Sequence, residues 1–96
     1  PHRSYIGPET LAHVLSRLLD TARTLPPVLN VASPGLVGMD AILRAAQVPF
    51  ATRAAPAYAL EALEMDVSKL LGFAPLPQVS ARSLVEEARR AGWCAP

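Results

Sequence analysis

The sequence predicts a small, helix-rich α+β domain with a few short strands, and three observations carry that prediction. Leu11, Val14, Leu15, Leu18, Leu19 and Ala22 recur at the spacing of one helix face. Short apolar or alternating runs at Val28–Ala32 and Glu64–Val67 stand between turn residues, where strands fit. A length of 96 residues gives room for one modest core and not two. The chain therefore reads as a single domain over residues 1–96.

The first helix is expected from about Pro8 to Arg23. Gly7-Pro8-Glu9 is its start signal: proline suits the first helical position, and a carboxylate there complements the positive end of the helix dipole. Pro26-Pro27 bars any continuation. Val28–Ala32 then reads as a buried strand between Pro27 and Ser33-Pro34-Gly35. A second helix is expected after Gly38, with Asp40 in its first turn, Met39, Ile42, Leu43 and Ala46 on one face, and Pro49 beyond its end. Phe50 to Arg53 admits a short strand. Tyr58 to Glu64 admits a helical turn before an extended piece, and Glu64–Val67 alternates as a brief strand does. Ser68-Lys69-Leu70-Leu71 reads as one helical turn, capped by Asp66 or Ser68 and ended by Gly72. Pro75 and Pro77 form a stiff connector to the last helix. Ser83 and Glu86 have capping-box spacing there. Leu84, Val85, Ala88 and Ala91 form its apolar face, Glu86, Glu87, Arg89 and Arg90 its wet side, and Gly92 its stop.

Composition excludes several function classes. Charged residues make up only 18% of the chain, against about 25% in an average soluble domain, while 51% are hydrophobic. That balance suits a domain that packs one face on a neighbour. A net charge of +1 provides no basic face for gripping a phosphate backbone, so nucleic acid is not an expected partner. No apolar run approaches the about 18 residues of a membrane span, so no membrane is expected either. The single cysteine, Cys94, precludes an internal disulfide framework or a cysteine-clustered zinc site and fits a reducing, cytoplasmic setting. The chain starts at Pro1 rather than Met and shows no signal-peptide pattern, as expected of a portion of a longer polypeptide.

Catalytic machinery is hard to assemble from these residues, and none is assigned. The only histidines are His2, at the start, and His13, on a helix face, and neither stands beside a nucleophile in the sequence. Glu86 and Glu87 are adjacent on a helix and splay apart, unlike a working carboxylate pair. Gly35-Leu36-Val37-Gly38 joins a strand to a helix but lacks the third glycine and the lysine of a phosphate loop. Cys94, beside Trp93, has no activating neighbour in the sequence.

What remains is an ordered set of local motifs. Arg3-Ser4-Tyr5-Ile6 precedes the helix bearing Leu11-Ala12. Leu29-Asn30-Val31-Ala32-Ser33 follows, then the helix starting at Gly38-Met39, then Asp66-Val67-Ser68-Lys69 with Leu71-Gly72-Phe73-Ala74-Pro75, and a final capped helix. This order resembles the C-terminal part of the NAD-dependent epimerase/dehydratase family, the extended short-chain dehydrogenase/reductases that act on nucleotide sugars. In that family an Arg-(Asp/Ser)-(Phe/Tyr)-(Ile/Val)-His-Val-x-Asp-x-Ala stretch opens the region, a Tyr/Leu-Asn-(Val/Ile)-(Gly/Ala)-Ser strand follows, and Asp-x-Ser-Lys with Leu-Gly-(aromatic)-x-Pro precedes the last helix. The resemblance covers nearly the whole chain. Gly7-Pro8 stands where the family has His-Val, Thr10 stands where it has Asp, and residues 47–63 match least.

The resemblance implies that this chain is the C-terminal substrate-binding lobe of a Rossmann-type enzyme. Its N-terminal domain, outside this chain, would hold NAD or NADP and a Tyr-x-x-x-Lys pair. The parent would be a homodimer acting on a nucleotide-sugar by epimerisation, dehydration or reduction, and the isolated chain would be inactive. Arg3 matches an arginine that reaches the nucleotide diphosphate or sugar, work that suits its fork of donors. Tyr5 matches an aromatic packed beside the nucleotide, and Arg53 lies where a second phosphate-binding arginine stands. Asn30 is expected to tie loops together, and Asp66, Ser68 and Lys69 to serve as turn and cap. A small helical module that docks a protein partner is the alternative.

Overall fold

The computed structural model describes residues 2–52, 57 and 59–93. Among them stand four helices and one three-stranded sheet, in the order β1 (His2–Arg3), α1 (Pro8–Asp20), β2 (Val37–Gly38), α2 (Met39–Ala45), β3 (Ala62–Leu63), α3 (Ser68–Leu71) and α4 (Ala81–Arg90). The α+β class is as the sequence predicts. The sheet order is β2-β1-β3, with β1 antiparallel to β2 and parallel to β3.

Helix α1 begins where Gly7 and Pro8 say it should, with Gly7 extended at the cap and Pro8 in the first turn. It stops at Asp20 rather than Arg23. Thr21 turns to an extended conformation, and its Oγ1 accepts a hydrogen bond from the Arg23 N–H at 3.2 Å. A local side-chain bond of this kind competes directly with the next helical turn. Beyond it, Arg23 donates to the Gly72 carbonyl at 2.7 Å and lies over the Phe73 ring at 4.2 Å, which fastens the long loop to α3.

The expected strand at Val28–Ala32 is not one. β1 takes β2 and β3 as its neighbours, so this segment has no strand alongside it. The one sheet-like bond comes from the residue after it, Ser33, whose N–H donates to the Tyr5 carbonyl at 2.9 Å. The strand expected at Glu64–Val67 lies instead at Ala62–Leu63. Phe50–Thr52 forms no strand, and Arg53, the end of that expected element, lies outside the described residues.

Helix α2 follows Gly38 as expected, and its Asp40 and Arg44 pair at 3.0 Å. In α3 the Asp66 carboxylate accepts from both the N–H and the hydroxyl of Ser68, at 3.0 and 2.7 Å, while Val67 holds the cap position itself. Helix α4 starts one turn earlier than Ser83-x-x-Glu86 implies. Ser80 is its cap: Ser80 Oγ accepts from Ser83 N–H at 3.1 Å, and Ser83 Oγ accepts from Ser80 N–H at 3.4 Å. Gly92, at φ 77°, supplies the left-handed residue that ends α4.

The core is small. Val14, Ala32, Val67, Leu70 and Ala74 are buried together, with Ile6, Leu18, Leu29, Val31, Leu71 and Leu76 packed around them. Only half of the apolar face of α1 is used: Val14 is fully buried, whereas Leu15 is 51% and Leu19 is 85% exposed. The accessible surface is 6834 Å², against about 5300 Å² for an average folded monomer of this mass. The radius of gyration is 15.2 Å, where about 12.5 Å is typical of this length. A flat molecule, 18 Å thin along its shortest axis, explains both values.

Candidate functional site

Three stretches that are distant in sequence meet at β1, and each is fastened by a specific bond. Ser4 Oγ accepts from Met65 N–H at 2.8 Å. The Tyr5 carbonyl accepts from Ser33 N–H, and the Asn30 side-chain amide donates to the Asp66 carbonyl at 3.1 Å. The Asn30 tie is the one expected from its place among apolar neighbours, since an amide there needs a partner. Residues 3–6, 29–33 and 65–69 thus form one continuous patch.

Arg3 sits in the middle strand. Its Nη1 donates to the His2 and Leu60 carbonyls at 2.9 and 3.2 Å, and its Nη2 to the Leu60 carbonyl at 3.2 Å. The end of the guanidinium fork is therefore committed to backbone. Among the described residues nothing engages Nε, so the side edge formed by Nε and Nη2 keeps the two parallel donors that suit an anion.

Tyr5 is half-buried and lines an apolar groove of about 310 Å³. Pro8 flanks it, Met39 and Ile42 of α2 form one wall, and Leu84 and Ala88 of α4 form the other. Trp93, 71% exposed, stands at its rim. A second, more polar groove of about 230 Å³ lies between Asn30 and the Asp66–Lys69 turn. Its Asp66 carboxyl is held below the ordinary range, first by the backbone N–H of Ser68 and then by the Ser68 hydroxyl. Lys69 is exposed and makes no ion pair with a described residue.

Sequence reasoning missed Glu87, which it placed on the wet side of α4. The side chain is buried and accepts from Thr10 N–H at 2.7 Å and Thr10 Oγ1 at 2.8 Å. The carboxylate thereby caps the first turn of α1 from another helix. The position was legible in principle, because Glu87 is the third residue after Leu84 and the fourth before Ala91, on the flank of the apolar face. Next to it, Arg90 grips Glu9 through two bonds, Nε to Oε2 at 2.6 Å and Nη2 to Oε1 at 2.9 Å.

Of the sequence-derived site residues, Arg3 lies on β1 and Tyr5 two residues on, in the irregular segment that leads into α1, whereas Arg53 lies outside the described residues, as does Cys94. Among the described residues no cluster of three or more His, Cys, Asp or Glu side chains is placed to hold a metal ion. No helix among them is long and apolar enough to cross a membrane. The chain matches no protein-family model, no curated protein and no solved structure.

Proposed function

We propose that this chain is the substrate-binding lobe of an NAD(P)-dependent epimerase/dehydratase, positioning a nucleotide-sugar against a nicotinamide held by a separate Rossmann domain. The supporting observation is the convergence at β1. Of the stretches that carry the family resemblance, Arg3–Ile6 is joined to Leu29–Ser33 by the Tyr5–Ser33 bond and Leu29–Ser33 to Asp66–Lys69 by the Asn30–Asp66 bond, while Ser4 holds Met65 just before the last of them. The free side edge of Arg3 would take a phosphate oxygen pair, and the Tyr5 face would take an apolar or aromatic part of the ligand. The work of such a lobe is orientation: the reacting sugar carbon must lie over the cofactor for hydride transfer. The active enzyme would be a cytoplasmic homodimer, and this chain alone would be inactive.

The test uses the whole natural polypeptide that contains this segment. Incubation with nucleotide-sugars and NAD or NADP should give a substrate-dependent change in nicotinamide absorbance or an epimerised or dehydrated product. A polypeptide that binds neither nucleotide-sugar nor NAD(P) overturns the proposal.

Two observations favour a second reading, a module that docks a protein partner. The groove between α2 and α4 is almost wholly apolar, and the chain has more accessible surface than its mass requires. Under that reading the groove residues, and not Arg3, govern binding.

A further inference from the structure

We draw no further inference here: the strongest candidate, the apolar groove between α2 and α4 with Tyr5 and Trp93 at its edges, is an unpartnered face, and nothing in the structure shows what covers it.

Discussion

Glu87 of α4 closes the first turn of α1 by accepting both the backbone N–H and the hydroxyl of Thr10. Gly7 leaves the space for this: a Cβ there would collide with the Glu87 carboxylate. Two helices separated by most of the chain are joined at a point where one of them lacks a side-chain cap of its own.

Glu87→Ala should therefore destabilise the fold by about 2 kcal/mol, the combined scale of a lost cap and a lost charge-assisted hydrogen bond. Gly7→Ala should cost a similar amount by displacing the carboxylate. The double variant should cost clearly less than the sum, because both changes remove one arrangement. Denaturant unfolding of the three variants measures this, and strict additivity would refute the shared cap.

Acid should weaken the α1–α4 seam. Glu9 has its carboxyl held below its ordinary value of 4.5, chiefly by the hydrogen bond from Arg90, which outweighs an opposing desolvation effect, with the Arg90 charge adding a lesser share. A carboxyl lowered on folding stabilises fully above its unfolded pKa, and that contribution disappears as pH falls through the lower folded value. Stability should thus decline below about pH 4.5, the ordinary value just given. Glu9→Gln should flatten the decline, with a small effect at neutral pH because the pair is exposed to solvent. Urea midpoints across pH 3 to 7, compared between the two proteins, read the difference. Identical slopes would remove Glu9 from the account.

If the proposed substrate-lobe function holds, Arg3→Ala in the whole polypeptide should raise the Michaelis constant for a nucleotide-sugar about tenfold or more, while NAD(P) affinity stays near its original value. Arg3→Lys retains the charge but not the parallel donors of the side edge, so it should recover only part of that loss. Steady-state kinetics with cofactor binding measured separately distinguishes the cases. Unaltered kinetics in both variants would confine Arg3 to holding the Leu60 carbonyl.

Leu19 is a solvent-facing residue that the fold does not use. Leu19→Lys should leave the unfolding free energy within about 0.5 kcal/mol, as befits a surface change outside the core. The same change should reduce self-association of the chain at high concentration, because it interrupts the exposed stripe shared with Leu15. Sedimentation together with denaturant unfolding checks both expectations. A large loss of stability would mean that Leu19 is covered in solution.

The helices were legible because their signals are local. Pro8, Gly38 and Gly72 mark boundaries through backbone chemistry that does not depend on distant partners. The start of α4 falls one turn before the expected one because Ser83-x-x-Glu86 has the capping-box spacing, whereas the cap that forms pairs Ser80 with Ser83, two serines whose reciprocal bonds only the geometry reveals. The strands were hidden for a different reason. Each is two residues long, too short for an alternating pattern, and exists only through its partner. Val28–Ala32 has the composition of a strand but no neighbour to pair with. At the site, Asn30 was legible from its apolar surroundings, whereas Glu87 was read as solvated because three charged neighbours masked its place beside the apolar face.

The position of β1 at the centre of the sheet sets the order in which the fold can form. Its pairing with Ala62 and Leu63 spans sixty positions, from His2 and Arg3, so chain closure must occur before any ladder bond rewards it. Helices α2 and α4 can each form on local signals, while the sheet waits for its middle strand. The same dependence holds in reverse. When β1 detaches, β2 and β3 lose their common neighbour together, and their amides should exchange with solvent as one cooperative unit, distinct from the helical pair.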